Sequence, residues 1–580
     1  MDNLFIKEWL VTNGLGGYAS STRDGANTRC YHGLLVAALE PPVNRKLLVA
    51  KVEERILHND VYFDLSTNQY PGVFHPQGNQ YIQDFKVCPF PTWLYGNNSW
   101  QLEKQIFMVQ GSNTTCLVYT NMGNDTLPLE VHPLYAFTDF HTTFHENGIT
   151  DFYSENHGNC LKTYPKYGSD PIYTGWSQGE FIEARAWYKN ILLPKEKKRG
   201  LNDHCDYYRI GYLKCELKPK EQLTLFFTLD EDIIDENVKD LRTKEIRRLA
   251  IGKAAKATSD FYGDLQRSGN QFLVHRKSTD GMSIIAGYHW FADWGRDTLI
   301  AMRGLTISNG NQKASKSILT TFLNSLDQGM LPNKFPDYDG NPVKYNTMDA
   351  TLWLFVALYE YYKKFGDNAF IKKHIKSLRT ILDFHINGTR YNIHVTPEGF
   401  RYGGENGVQL TWMDAIVDGR VITPRIGCPV EINALWYNAL KIYEYFCTTF
   451  KLNLDEKYSQ VIGRFESNFT NHFTNPQGTL YDVIVPYVSK DNSFRPNQLY
   501  ALSLPFSVLD NESQKRVFET VRSGLYTSFG LRTLDMGDLR FQGEYTGCRE
   551  QRDDAYHQGT VWPFLLYEYY RAFFLLYGES

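Results

Sequence analysis

Residues 289 to 298, His-Trp-Phe-Ala-Asp-Trp-Gly-Arg-Asp-Thr, gather two tryptophans, two aspartates and an arginine just ahead of an apolar stretch, Leu299 to Leu305. Indole faces suit the C–H faces of a pyranose, and a forked guanidinium beside a carboxylate can grip adjacent hydroxyls. An aromatic loop with a surface ion pair would use the same residue types. A second segment changes the balance: Trp412-Met413-Asp414 repeats the Trp-x-Asp pattern, and Arg425 and Glu431 follow on the way into another predicted helix. Two such loops predict a sugar pocket with Trp294 and Trp412 in its wall.

Cleaving a glycosidic bond takes a proton donor at the leaving oxygen and, in the inverting mode, a second carboxylate roughly 6.5 to 9.5 Å away that activates water. Asp414 suits the donor, because apolar and aromatic walls desolvate a carboxyl and keep it protonated near neutral pH. A helix-capping or turn aspartate is the plainer alternative. Asp297 competes for the role, yet it follows Arg296, and an arginine beside a carboxylate pushes its pKa down. It is therefore expected to be an ionised hydrogen-bond acceptor. Asp349, Glu431, His557 and Gln558 each begin or precede a predicted helix, where they either line the same pocket or serve as caps and core.

These loops need a scaffold, and the text of the chain changes halfway. From Leu4 to about Leu229, short stretches such as Thr115 to Thr120 and Leu223 to Thr228 alternate β-branched and aromatic residues between Gly, Asn and Pro clusters, which predicts an antiparallel β-sandwich. Asp235 to Leu265 reads as a charged helical bridge. Helical stretches then come in pairs: Asp297–Ile307 with Ala314–Leu326, Asp349–Phe365 with Asn368–Ile386, Val430–Phe446 with Glu456–Phe473 and Asn497–Val508 with Ser513–Val521, before a last one from Gly559 to Leu576. Paired helices with long loops ahead of alternate ones suggest an (α/α)6-type toroid. The expected domains are 1–234, a linker at 235–270, and a helical catalytic domain at 271–580.

Composition narrows the partners. A net charge of −4 over 580 residues offers no field for nucleic acid or an anionic membrane, and no apolar run is long enough to span a bilayer. Nine cysteines without CxxC or CxxH spacing read as reduced thiols of a cytoplasmic protein. No spacing implies zinc, calcium or a nucleotide, so neither metal nor cofactor is expected; Gly14-Leu15-Gly16-Gly17 lacks the strand-then-helix context of a dinucleotide site.

Four blocks carry a family resemblance: Trp9 to Leu35, Ala286 to Gly304, Leu410 to Leu440 and Arg549 to Pro563. The chain resembles the bacterial and archaeal type of glycogen-debranching enzyme, the amylo-α-1,6-glucosidase family, over essentially its whole length. The resemblance implies the same (α/α)6 barrel behind a β-sandwich, glycogen or another branched α-glucan as substrate, and a general acid at Asp414. Related α/α-barrel glucosidases use a Trp-x-Arg-Asp loop for the outer hydroxyls of the terminal glucose, a role that passes to Arg296 and Asp297, with Trp294 in the wall. In relatives two more helices follow the stretch matching Gly559 to Gly578, with the base, a glutamate, between them. The expectation is therefore that the last helix pair and the base lie beyond Ser580, which makes hydrolysis by these 580 residues doubtful. Glu550, Asp553 and Asp554 read as surface or capping groups rather than as substitutes. Three readings follow: an inverting α-1,6-glucosidase, an α/α-barrel phosphorylase with Arg296 and Arg425 as the only candidates for a phosphate pocket, and a non-catalytic glucan-binding protein.

Overall fold

The computed structural model describes residues 7–251, 260–336 and 342–578. It divides into two compact units, Met1–Ala292 and Asp293–Ser580.

The first unit is built on two eight-stranded antiparallel sheets. One runs in the order Glu8–Thr12, Tyr18–Thr22, Gly33–Glu40, Val43–His58, Leu127–Asp139, His204–Leu217, Glu180–Leu192, with Val61–Asp64 added beside Val43–His58. The other runs Tyr153–Asn156, Cys160–Tyr164, Ile172–Trp176, Gln222–Thr228, Thr114–Asn121, Gln101–Met108, Thr92–Gly96, Ile82–Lys86. Thr114–Asn121 is buried at every position although strands are two-faced. The reason is visible in its alternation. Leu117 and Tyr119 enter the main core, whereas Cys116 and Val118 join a smaller cluster with Val238 and Leu241 of the helix Val238–Ile251. That helix covers the outer face of the sheet and removes a second apolar surface from water.

The expected linker at 235–270 is thus no free connector. Its helices, Val238–Ile251 and Asp260–Asn270, and the hairpin Leu273–Arg276 with Gly281–Ile284 all fall inside the first unit, and the division comes at Ala292 rather than at 270. The part of the predicted bridge at 252–259 lies outside the described residues. The Trp-rich run at 289–298 is itself divided: His289 accepts or donates at Nε2 to Ser20 Oγ (2.8 Å) within the first unit, while Trp294 to Asp297 belong to the second.

The second unit is made of helical hairpins. Gly295–Met302 pairs with Gln312–Asn324, Ala350–Phe365 with Asn368–Asn387, Val430–Phe450 with Glu456–Phe473, and the short Tyr500–Ser503 with Asn511–Gly524; Leu566–Tyr577 follows. The first member of each pair packs on the first member of the next, through to Leu566–Tyr577, so these form the inner layer. Their burial shows it: Ala350–Leu358 is buried at every residue, as is Val430–Leu440. The outer helix Glu456–Phe473 buries only the stripe Tyr458, Val461, Ile462, Phe465, Phe469 and Phe473. Two predicted helices are shorter than expected, and proline explains both. Pro505 forces Leu504 out of helical geometry (ψ 159°), and Pro563 follows a short strand, Val561–Trp562, where the sequence pattern predicts helix from Gly559. Arg303, which follows the first inner helix, is fully buried against Glu360 and Glu568 and thereby ties Ala350–Phe365 and the last helix to it. No helix among the described residues is long and apolar enough to cross a membrane.

Candidate functional site

The loops that precede the inner helices bring the candidate residues to one end of the second unit. Arg296 and Asp297 occupy the first turn of Gly295–Met302, and Asp349 immediately precedes Ala350–Phe365. Arg296 Nε donates to Asp349 Oδ2 at 2.7 Å, and its Nη1 reaches Asp414 Oδ2 at 3.4 Å. Asp349 is held from its other oxygen by the Thr347 hydroxyl at 2.7 Å and is itself buried. One guanidinium therefore joins two inner-helix loops to the loop carrying Asp414.

Asp414 and Asp297 are both open to solvent, Asp414 with 38% of its side chain accessible. Burial nevertheless raises both carboxyls above the ordinary aspartate value, with Arg296 pulling the other way. Accessible yet desolvated groups are what the wall of a concave site holds. For Asp414 the direction agrees with a proton donor. For Asp297 it corrects the sequence-based expectation of a depressed pKa. Adjacent residues on a helix do not face each other, and Arg296 spends its hydrogen bonds on Asp349 and Asp414 instead.

Trp412 forms a wall with its ring edge-on to His557 and Phe564, each at 5.2 Å. Its Nε1 donates to Asn497 Oδ1 at 2.8 Å, and Asn497 donates to Asp482 Oδ1 at 2.7 Å. Asp482 accepts from Arg425 at 3.0 and 3.1 Å, and Arg425 also forks onto both oxygens of Glu431. Arg495 lies 3.7 Å from Asp482 and donates to the His557 carbonyl (2.7 Å) and Gln558 Oε1 (2.9 Å). This buried chain of charges fixes the Trp412 loop against the inner helices.

Three residues expected to contact substrate belong to that chain rather than to the pocket surface. Glu431 keeps 2% of its side chain accessible and is occupied by Arg425. Gln558 is buried, its oxygen on Arg495 and its amide on Ile422 O and Thr423 Oγ1. His557 is buried, and desolvation next to Arg495 holds it well below the usual histidine pKa, hence neutral. Arg425, the second cation considered for a phosphate pocket, is likewise buried and saturated by two carboxylates. Trp294, half-buried, lies under the Lys334 ammonium at 5.5 Å. Glu550, Asp553 and Asp554 pair with Arg420 and Arg549 at the surface.

Sequence reasoning overlooked Tyr556. Burial raises its hydroxyl above the ordinary tyrosine pKa, with Tyr545, Asp414 and Asp297 adding to the shift, and its ring packs at 4.7 Å from both His557 and Trp562. Adjacency to His557 was the available signal. Asn497, Asp482 and Arg495 carried none, because single polar residues announce no partner across 15 to 85 positions of chain.

This architecture has counterparts. A bacterial glucoamylase solved in complex with acarbose superposes with a TM-score of 0.56 at 12% identity, over 98% of this chain and 87% of that one, which places the fold among the glucoamylase-like ones. The glycogen debranching enzyme of Saccharomyces cerevisiae is 23% identical over 479 residues, covering 64% of this chain; the match spans 30% of the yeast protein's length. Residues 7–224 match the N-terminal family of glycogen debranching enzymes. Residues 267–579, more than half of the sequence and the whole of the site just described, match the amylo-alpha-1,6-glucosidase family, and to that family the chain belongs.

Proposed function

We propose that the protein is a glycoside hydrolase acting on branched α-glucan, which removes α-1,6-linked glucose at branch points with inversion. Asp414 is the proton donor in this reading. Asp297 and Arg296 accept from and donate to the hydroxyls of the bound glucose, and Trp294, Trp412 and Tyr556 supply faces for its ring. Asp349 positions Arg296. The observation that supports it is Asp414 itself: a carboxyl accessible to ligand, raised by desolvation, two residues from a clamped tryptophan and 3.4 Å from an arginine. The water-activating carboxylate must stand across the glucose, about 6.5–9.5 Å from the acid. Asp349, locked onto Arg296 and Thr347, does not fill that role.

The test is glucose release from a dextrin bearing single α-1,6-glucosyl stubs, with the anomer of the first product followed by NMR. Release of the β-anomer, lost in Asp414→Asn while dextrin binding persists, is the expected outcome. Glucose 1-phosphate appearing only with added phosphate would replace hydrolysis by phosphorolysis, a reading that the saturation of Arg425 disfavours. Binding with no turnover in any condition would make the protein a glucan-binding one.

A further inference from the structure

Away from the Arg296–Asp414 cluster, the second unit carries a cleft of about 340 Å³ lined by Val343, Lys344, Tyr345, Asn346, Arg390 and Tyr391. Tyr391 and Asn392 form the centre of a tight turn closed by Ile393 N donating to Arg390 O, and both have left-handed backbone (φ 59° and 55°). Such a turn asks for Asn or Gly; a bulky aromatic at positive φ is costly, on the order of 1 kcal/mol or more. Arg390 lies over the Tyr345 ring at 4.7 Å and pairs with Asp327, so its charge is compensated. The Asn346 side-chain oxygen is buried without a hydrogen-bond partner among the described residues.

The cleft is connected to the site. Trp294 bridges Lys334, and Lys334 bridges Lys344, in antiparallel fashion. At ~4.8 Å per bridge the cleft's edge lies about 10 Å from the Trp294 backbone. Gly295 N–H to Asn333 O and Asn333 N–H to Lys344 O, both 2.8 Å, brace the same ladder. Two tyrosine rings, a guanidinium whose charge Asp327 compensates and an amide, with the exposed Lys344 beside them, can stack on and hydrogen-bond a polyhydroxylic chain.

We propose that this cleft binds the linear α-1,4-glucan chain that carries the branch, as a subsite separate from the Asp414 pocket, with Tyr391 as its stacking platform. The proposal rests on the reading of the protein as one that acts on α-glucan. It is tested with maltoheptaose, which has no α-1,6 bond, titrated into the intact protein by calorimetry. Tyr391→Gly should relieve the turn, leaving Tm unchanged or higher, and weaken maltoheptaose binding about tenfold, the loss expected of one aromatic contact. Tyr391→Phe, which keeps the ring, should bind as the wild type does. Wild-type binding that Tyr391→Gly leaves intact overturns the subsite while the glucosidase reading stands, as does absence of any maltoheptaose binding. Tighter binding of heparin than of maltoheptaose at the same residues overturns it too, by making the cleft an anion site. If maltoheptaose binding depends on Tyr391 but no branched dextrin is ever turned over, the subsite holds and the hydrolase reading falls.

Discussion

Asp414 and Asp297 bear the same side chain near the same guanidinium, and both sit above the ordinary aspartate pKa because the protein around them withholds water. What separates them is the hydrogen bond that Asp414 takes from Arg296. Asp414 as acid requires its proton, so glucose release should fall as pH rises through its raised pKa. Asp414→Asn should lose about 10²- to 10⁴-fold in kcat, the contribution of a positioned acid, and lose the alkaline limb with it. A pH–rate profile on both proteins measures this; an unchanged alkaline limb in the variant assigns the proton to another group. Asp297→Asn should raise KM as well as lower kcat, since the contact to glucose proposed for it would exist in ground and transition states alike. A pure kcat loss at constant KM would instead give Asp297 a role in the chemical step.

At the scale of elements, the site depends on how loops are pinned to inner helices. The Trp412 loop is held by Asn497, Asp482, Arg425 and Glu431, all buried. Arg425→Met would leave two carboxylates inside the protein without their cation, and breaking such a buried pair costs about 3–5 kcal/mol. Urea denaturation should show that loss; a variant as stable as the wild type would mean that Arg495 alone can carry Asp482. The helix that presents Arg296 begins at Gly295, where an added Cβ would stand 2.2 Å from the Pro332 carbonyl oxygen. Gly295→Ala should therefore destabilise by about 1–3 kcal/mol, as overpacking does. It should also raise KM for the dextrin by displacing the first turn, whereas a stability loss at unchanged KM would show that the turn absorbs the strain.

Across the whole molecule, buried histidines contribute to the response to acid. Burial holds His289 down at about 3 and His132 at about 4, and His32, His385 and His557 are also depressed. Below about pH 6.5 the unfolded chain takes up protons that the folded one refuses, so these groups make stability fall with falling pH until their folded pKa values are reached. His32, His132 and His289 lie in the first unit, and His385 and His557 in the second, so calorimetry between pH 7.5 and 5 should show melting temperatures dropping for both units. A unit whose melting is flat over that window would contradict the neutral state of its histidines.

Much of this was legible in the amino-acid order because it is local. A period of two before residue 230 and helical spacing after it specify sheet and helix whatever they pack against, and Trp412-Met413-Asp414 and Trp294 to Asp297 mark, within a few residues, the loops that carry the candidate site. The ends of elements were missed where proline was not given its weight, as at Pro505 and Pro563. What the order could not declare was partnership. Arg296 reaches over its neighbour Asp297 to Asp349 and Asp414, 53 and 118 positions away, and Glu431 is taken up by Arg425, which it shares with Asp482, rather than offered to ligand. Pairing and desolvation are properties of the packed interior, where residues remote in the chain decide which carboxyl keeps its proton. Only the tertiary structure fixes them.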